Sequence, residues 1–347
     1  MGLMAGTSLD GVDTVLVDKD CKRLIAQDYL PYSAGLKQQL VDIVQNPTID
    51  KEKLAKIDTE VAKCFASAAN QLLEKTATKK SKVKAIGSHG QSIFHQGGDY
   101  SWQIGHGAII ADRTGLKVIN DFRMADIAAG GQGAPLTPLY HQYLLAGDSA
   151  VVINLGGIAN LTRVSSKGVI GFDTGPANTL LDQWMRKTKD LDYDRDGIFS
   201  RSGQLIEPLL NNLLDDAYFS KSVPKSTGPE YFNLHWLQPH LNKHKDKDVM
   251  RTLVELTAVS ITQNLQEDEK IYLCGGGTHN LFLVERLSYL NPSCEFSTTD
   301  ELGMPIDFVE AAAFAFFAKQ TLASTASNLP SVTGATKNKV LGAIHHA

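Results

Sequence analysis

The chain has 347 residues, of which 43% are apolar and 21% are charged, a composition typical of a globular protein with more than one core. A net charge of −4 without a basic cluster argues against nucleic acid or an anionic membrane as a partner. Four cysteines without Cys-x-x-Cys spacing, and no signal-peptide pattern or apolar run of about 18 residues, disfavour zinc, disulfides and a membrane span, and favour a cytoplasmic location.

Apolar runs alternate with amphipathic stretches along the chain, which predicts an α/β protein. Strands are predicted over 2–5, 12–18, 83–87, 117–121, 151–155, 158–164, 168–172 and 270–274. Helices are predicted over 35–45, 51–75, 176–188, 204–216, 250–266, 279–290 and 307–323. Breaks are marked by Pro31, Pro47, Pro292 and Pro330. The helix over 51–75 has the clearest 3.6-residue apolar period.

A glycine- and hydroxyl-rich turn follows the first strand. It reads Gly6, Thr7, Ser8, Leu9, Asp10, Gly11, Val12 and Asp13. Backbone N–H groups and two hydroxyls aimed at one point would hold a phosphate without a large positive charge. An ordinary β-hairpin has the same pattern, and no Walker lysine follows. Because the first strand begins at once, we expect a few residues to be missing from the N-terminus.

Two further glycine turns follow buried-looking strands, near residues 156 and 275. Glycine lets the backbone approach a ligand closely, so three such turns predict one nucleotide held from several sides. The candidate contacts are Asn154, Gly156, Gly157 and Asn160 in the second turn, and Gly275, Gly276, Gly277 and Asn280 in the third. Asn280 would contact ribose or adenine, or would cap the helix that follows.

Segment 2–18 resembles segment 151–164, which predicts a duplicated architecture with the nucleotide between the halves. We place the domains at 1–130 and 131–347, divided at a loop of small residues, with the helix over 307–323 packing back on the first domain.

Asp173 follows an apolar strand and precedes Thr174, Gly175 and Pro176, with Pro176 in the first turn of a helix. A carboxylate at the C-terminal end of a strand faces the crevice where α/β proteins bind ligands. Asp173 is therefore a candidate general base, although aspartate at this place equally suits a helix cap.

The three turns, in this order, resemble the nucleotide motifs of the actin-like ATPase superfamily, which has a ribonuclease H-like fold. Further segments are similar to the anhydro-N-acetylmuramic acid kinase family over nearly the whole chain. They are the segments at 6–13, 87–91, 120–123, 130–136, 154–160, 171–178, 225–228, 274–277 and 307–311. Ala5 and Pro229 depart from the family pattern, which usually has Ser and Arg there.

The resemblance implies a two-domain α/β actin-like fold with a nucleotide cleft between the domains. It implies an ATP- and Mg²⁺-dependent kinase that opens the 1,6-anhydro ring of anhydro-N-acetylmuramic acid with water and phosphorylates O6, in peptidoglycan recycling. It also implies a homodimer. The alternatives are another sugar or acyl kinase of the superfamily, or an ATP-driven assembly module without a sugar site.

For specific residues, the resemblance also favours a functional role over a structural one. It favours Asp173 as the catalytic base and Glu310 as a substrate contact. His89 is a candidate sugar or lactyl contact, or a structural histidine. Arg123 would pair with the lactyl carboxylate, or form an ordinary salt bridge. Gln132 would hydrogen-bond the sugar, or lie in a plain loop. Asp10 would hold Mg²⁺ through water.

Overall fold

The computed structural model describes residues 1–46, 48, 50–241 and 243–347. The chain break predicted at Pro47 lies outside these residues. The chain divides into two compact units, of which unit 1 is Met1–Leu144 with Leu302–Ala347 and unit 2 is Leu145–Glu301. Within the described ranges, no helix is both long and apolar enough to cross a membrane.

Each of the eight strand segments predicted from the sequence overlaps a strand among the described residues, but the segment predicted at 83–87 shares only residues 86 and 87 with a strand that continues to 96. The strands are β1 (Gly2–Ala5), β2 (Gly11–Val17), β3 (Leu24–Pro31), β4 (Ile86–Gln96), β5 (Tyr100–Ile104), β6 (Val118–Asn120), β7 (Ala150–Leu155), β8 (Ile158–Ser165), β9 (Gly168–Pro176), β10 (Lys270–Cys274), β11 (Glu295–Thr298) and β12 (Ala343–His345). The prediction missed β3, β5, β11 and β12. In β3, partly buried and exposed residues alternate, so a search for apolar runs passes over it.

The helices include all seven predicted ones. They are α1 (Ala34–Gln45), α2 (Lys51–Lys75), α3 (Gly107–Thr114), α4 (Met124–Ile127), α5 (Thr137–Leu145), α6 (Asn178–Lys189), α7 (Ile198–Arg201), α8 (Glu207–Leu214), α9 (Leu234–Leu237), α10 (Asp246–Thr262), α11 (Leu281–Leu290), α12 (Val309–Leu322) and α13 (Pro330–Thr333). Short 3₁₀ turns also occur at Lys80–Lys82, Arg195–Gly197, Gln238–His240, Gly276–His279 and Thr299–Leu302. The bounds predicted for α2 are correct, and Asp50 caps it by accepting a hydrogen bond from the Lys53 N–H.

Unit 1 is built on a sheet with strand order β12-β6-β4-β1-β2-β3, and β5 pairs with β4. The pairs β1–β2 and β2–β3 are antiparallel, whereas β1–β4 and β4–β6 are parallel. One apolar core of this unit includes Leu3, Val12, Phe65 and Ile86, all fully buried. The sheet therefore joins a meander of three antiparallel strands to two parallel ones.

Helix α12 packs on β1 and β4 of unit 1. Gly2 and Gly87 allow this approach, because a Cβ at either position would collide with the backbone carbonyl of Ala311 or Phe314. The division between the units falls after Leu144 and again after Glu301, not at the predicted residue 130. The segment 131–144, which includes most of α5, belongs to unit 1, where the Tyr140 hydroxyl donates to the Cys21 carbonyl at 2.8 Å.

Unit 2 repeats this strand plan with the order β11-β10-β7-β8-β9. The pairs β7–β8 and β8–β9 are antiparallel, and β10 is parallel to both β7 and β11. When β5 and β12 are set aside and the remaining strands of each unit are counted in chain order, both sheets have the order 3-2-1-4-5. This duplication confirms the predicted actin-like, ribonuclease H-like α/β fold.

Candidate active site

The first glycine turn of unit 1 joins β1 to β2 and is held by Gln91 of β4. The Gln91 side-chain amide donates to the Gly6 carbonyl at 3.0 Å, and its oxygen accepts from the Tyr32 hydroxyl at 3.2 Å. The Ser8 hydroxyl donates to Asp10 Oδ1 at 2.7 Å. The turn is thus tied to the parallel part of the sheet by a fully buried glutamine.

The predicted phosphate residues of this turn differ in what they expose. Thr7, Ser8 and Asp10 are exposed and can meet a ligand with their side chains. The side chains of Leu9 and Val12 lie in the core of unit 1, so only their backbone can face a nucleotide. Gly11 has a packing reason as well, because a Cβ there would collide with the carbonyl of Leu30 and the ring of Tyr29.

Asp13 follows the turn in β2 and lies in an acidic environment. Burial, together with the negative charges of Asp10, Glu310 and Asp307, raises the pKa of Asp13 to about 7. Among the described residues, no three His, Cys, Asp or Glu side chains are arranged to hold a metal ion. A metal here would have to keep most of its water ligands, as Mg²⁺ commonly does.

His89 and Arg123 form one hydrogen-bonded group in unit 1. Arg123 Nη2 and Nε lie 2.9 and 3.3 Å from His89 Nε2, and Nη1 donates to the Gly133 carbonyl at 2.9 Å. His89 Nδ1 lies 2.9 Å from the Gly90 carbonyl, so Nδ1 carries the proton and Nε2 accepts. Burial and then the Arg123 charge hold the pKa of His89 well below its usual value, so the ring is neutral.

Arg123 keeps donors for a ligand. A guanidinium has five N–H groups, and the three bonds above leave one on each terminal nitrogen. Burial lowers the pKa of Arg123 to about 10, while Glu310 favours its charge. Glu310 lies in the first turn of α12, and its pKa is raised overall, because burial outweighs the opposing effect of the Arg123 charge. Three of the four predicted substrate residues thus lie together, with Arg123 hydrogen-bonded to His89 and electrostatically coupled to Glu310.

The fourth, Gln132, lies exposed in the loop between α4 and α5. Its backbone N–H donates to the Thr333 carbonyl at 2.8 Å. Its side chain lies against Gly97 and Gly98, where a Cβ at Gly97 would collide with the amide oxygen. The loop has defined contacts, unlike the plain flexible loop that the sequence also allowed.

The second glycine turn, in unit 2, is joined to the start of α6. The Gly157 carbonyl accepts from the Ala177 and Thr179 N–H groups, and the Gly156 carbonyl accepts from Asn178, all at 3.0 Å. Asn154 and Asn160 are direct partners across β7 and β8.

The third turn follows β10 and contacts the second. A Cβ at Gly275 would collide with Asn154 Oδ1, and a Cβ at Gly277 would lie too close to Leu155. Gly276 has open space instead, and the buried Thr278 hydroxyl has no hydrogen-bond partner within the described part of the chain. Open space beside an unsatisfied hydroxyl fits a turn that meets a polar ligand. Asn280 caps α11, where its Oδ1 accepts from the Leu283 N–H at 3.0 Å, so the capping alternative is realised.

Asp173 lies within β9, in contact with the segment around residue 226. Oδ2 accepts from the Thr227 N–H at 3.0 Å and the Ser226 hydroxyl at 3.2 Å. The backbone carbonyl of Asp173 accepts from the Tyr218 hydroxyl at 2.7 Å, and the backbone N–H of Asp173 donates to the Lys225 carbonyl at 2.9 Å. No described residue donates to Oδ1, which leaves this oxygen open to a ligand.

The helix-cap interpretation of Asp173 is wrong. β9 continues to Pro176, so Pro176 ends a strand and is not in the first turn of a helix, as the sequence had suggested. α6 has Ala177 at its N-cap position and no side-chain cap. The strand continues because residues 171–176 keep their pairing with β8. Asp173 therefore does not cap α6.

The electrostatics of Asp173 suit a proton acceptor. The pKa of Asp173 is raised to about 6, because burial, helped by the charge of Glu230, outweighs the hydrogen bonds from Thr227 and Ser226. A carboxyl with this pKa is ionised at neutral pH and more basic than an ordinary aspartate. Sequence reasoning missed Ser226, Thr227 and Tyr218 as its partners, and Gln91 as the tie to the first turn. Lys225–Gly228 and Gly87–Gln91 stood out only as family-like segments.

A duplicated ribonuclease H-like sheet with a glycine turn after the first strand of each unit is the architecture of the actin-like class of proteins. The chain belongs to the anhydro-N-acetylmuramic acid kinase family, whose sequence model matches residues 1–347. It is therefore a kinase of anhydro-N-acetylmuramic acid that uses ATP and acts in peptidoglycan recycling. The predictions of family, enzyme and activity are confirmed, and ATP as a substrate with them.

The chain is also similar to solved structures of low identity. Component A of the (R)-2-hydroxyglutaryl-CoA dehydratase of Acidaminococcus fermentans has 11% identity and a TM-score of 0.49, over 93% of this chain and 98% of that one. The activator of the 2-hydroxyisocaproyl-CoA dehydratase of Clostridium difficile, with bound ADPNP, has 13% identity and a TM-score of 0.47, over 92% and 93%. A ROK family glucokinase of Streptomyces griseus, with glucose and AMPPNP, has 12% identity and a TM-score of 0.39, over 92% and 98%. The activity follows from the family match alone.

Proposed function

We propose that Asp173 is the general base that activates water against the anomeric carbon of the anhydro sugar. The observation that carries this role is a carboxylate whose hydrogen bonds both fall on Oδ2, with a pKa raised to about 6. Oδ1 is the oxygen that would accept the proton. Ser226 and Thr227 would keep the carboxylate in one orientation while it does so.

In this reaction a bond forms between the water oxygen and C1, and the bond between C1 and O6 breaks. The proton of the water goes to Asp173, and O6 takes the γ-phosphoryl group of ATP, leaving ADP. Inverting glycosidases use a second carboxylic acid to protonate the departing oxygen. Phosphoryl transfer stabilises O6 here, so no separate acid is required.

Arg123 is proposed to bind the lactyl carboxylate of the sugar with its two remaining N–H groups. His89 then has a holding role, because a neutral ring that accepts from Arg123 cannot deliver a proton at neutral pH. Glu310 and Gln132 are proposed to accept and donate hydrogen bonds to the sugar. The support is their common location in unit 1 and the coupling of Glu310 to Arg123.

The glycine turns are proposed to bind ATP, with Thr7, Ser8 and the backbone of residues 6–13 on the phosphates. Asp10 would hold Mg²⁺ through water, and Mg²⁺ would neutralise charge on the phosphates. The exposed carboxylate of Asp10 beside two exposed hydroxyls fits such an outer contact. Loss of activity in EDTA, restored by added Mg²⁺, would test the requirement.

We further propose that the enzyme is a cytoplasmic homodimer whose ligands are the sugar and ATP, with no nucleic-acid or membrane partner. The support is the family and a net charge of −4 without a basic cluster. Light scattering after size exclusion would give the mass in solution. A monomer at micromolar concentration would overturn the dimer.

The mechanism is tested by running the reaction in ¹⁸O-labelled water. The label should appear at C1 of the product and not in the phosphate ester. Attack opposite the bridge should also invert C1, which early NMR spectra can read before mutarotation. Label in the phosphate, or initial retention at C1, would contradict the role of Asp173 as a base toward water.

A further inference from the structure

A buried carboxylate without an assigned role, Asp126 of α4, lies under the loop that carries Gln132. Its Oδ2 accepts from the Gly133 N–H at 2.9 Å. Its Oδ1 accepts from the side-chain amide of Asn328 at 2.9 Å and from the Thr333 hydroxyl at 2.8 Å. Asp126 is fully buried. A carboxylate in such a place is tolerated only with its donors in position, so these three bonds constrain its neighbours.

The loop is shaped around this carboxylate. A Cβ at Gly131 would collide with the carboxylate of Asp126, and Gly133 has a φ of +71°, which favours glycine. Gly133 donates to Asp126 with its N–H and accepts from Arg123 with its carbonyl. The orientation of this one residue therefore links Asp126 to the Arg123 guanidinium, and through it to His89.

The other donors to Asp126 come from the far end of the chain, in the segment Ser327–Thr336, which we call the C-terminal clasp. The clasp also bonds the loop directly. Its Thr333 carbonyl accepts from the Gln132 N–H at 2.8 Å, and the Thr336 N–H and hydroxyl both donate to the Ala129 carbonyl at 2.8 Å. The loop is thus held on both sides of Gly131.

We propose that Asp126 is a positioning residue for the sugar, which acts by fixing Gly133, and with it Arg123 and Gln132, against the C-terminal clasp. It does not touch the substrate. The inference rests on the proposed binding of the sugar by Arg123 and Gln132. It adds a dependence of sugar affinity on Asn328, a residue about 200 positions away in the chain.

The test exchanges the carboxylate of Asp126 and the amide of Asn328, first singly and then together. In Asp126→Asn, the introduced amide has one oxygen and one NH₂ group, so it must present NH₂ either to the Gly133 N–H or to the Asn328 NH₂. One pair of facing donors results in either orientation. We expect the KM for the sugar to rise roughly tenfold, with the Kd for ATP changing less than about twofold.

Combining Asp126→Asn with Asn328→Asp removes the conflict at position 126. The introduced amide can accept from Gly133 and donate to the new carboxylate, and the Thr333 hydroxyl can turn to accept. The new carboxylate loses one bond, because the Asn328 amide also donates to the Lys337 carbonyl at 3.1 Å. The double variant should therefore have a sugar KM clearly lower than either single variant, without reaching that of the wild type. Because the swap restores the bonding around position 126, it also tests the proposal where Asp126→Asn alone folds poorly.

Thr336→Val is the matched control. It removes a bond between clasp and loop but leaves the Ala129 carbonyl paired with the Thr336 N–H, so sugar KM should change little. Equal losses of sugar and ATP binding in Asp126→Asn, an unchanged sugar KM, or a double variant no better than the product of the singles would overturn the proposal. Arg123→Lys distinguishes failure of the positioning role from failure of the proposed sugar site. An unchanged sugar KM in Arg123→Lys would contradict binding of the sugar by Arg123, and not the role of Asp126 alone.

Discussion

Replacing Asp173 by Asn should remove activity and at the same time make the folded protein more stable. The amide oxygen can keep the bonds from Ser226 and Thr227, so the geometry is preserved while the base is lost. General-base catalysis contributes about 10²–10⁴-fold. We therefore expect kcat to fall by about that factor and ATP binding to stay unchanged.

The stability change follows from the pKa of Asp173, which burial raises from 3.8 to about 6. The folded state holds this proton more tightly than the unfolded state, so the contribution of Asp173 to stability falls as the pH rises through about 6. Two pKa units correspond to about 3 kcal/mol, which we reduce to about 1.5 kcal/mol because the side chain is partly exposed. Asp173→Asn should raise the Tm by about 3 °C at about pH 7.5, and by less near pH 5.

Asp216 provides a control of opposite sign in the same unit. Burial alone would raise its pKa, but hydrogen bonds from Trp236, the Tyr218 N–H and Tyr231 lower it overall. Its ionised form therefore stabilises the folded state, and that contribution is lost as the pH falls through its folded pKa. Asp216→Asn should lower the Tm at about pH 7.5.

The assays are scanning calorimetry at the two pH values and steady-state kinetics of ADP release with the anhydro sugar. With a pKa of about 6, kcat/KM of the wild type near pH 5 should be about a tenth of its value near pH 7.5. A carboxyl with an ordinary pKa would give nearly equal values. A flat profile, or a well-folded Asp173→Asn protein with near wild-type kcat, would refute the reasoning.

Three further changes test other parts of the structure. Gly87→Ala would drive a Cβ into the Phe314 carbonyl and should cost at least about 2 kcal/mol in urea unfolding; a neutral result would contradict the packing of α12 on β4. Glu255→Ala should cost about 3 kcal/mol, because the buried carboxylate pairs with two arginines that would lose their partner, and wild-type stability in calorimetry would count against this. Gln91→Ala frees the Gly6 carbonyl and should weaken ATP binding severalfold in titration calorimetry while the helix content stays unchanged; an unaltered Kd would remove Gln91 from the nucleotide site.

Local signals predicted much of the fold. The helix at Lys51–Lys75 and the strand at Lys270–Cys274 have the predicted bounds, since a cap and an apolar period, or a short apolar run, act within a few residues. The glycine turns and the duplicated plan were also visible, because each is a strand and a turn that are continuous in the sequence.

The edge strands and the return of the chain to unit 1 could be identified only from the tertiary structure. β3 and β12 are short or half-exposed, and they are strands because β2 and β6 pair with them. The place of the unit boundary depends on which core α5 and α12 contact, and an apolar helix such as α12 does not specify its partner by its own pattern.

The candidate site divides in the same way. Asp173, His89, Arg123 and Glu310 could be chosen from their sequence surroundings, but their chemistry could not. The pKa of Asp173 depends on Ser226 and Thr227, more than 50 residues later, and the neutral state of His89 depends on burial and on Arg123. Asp126 drew no attention in the sequence, because its donors Asn328 and Thr333 are distant in the chain. Hydrogen bonds and desolvation act over a few ångströms in space, so only folding brings together the groups that decide a carboxylate's role.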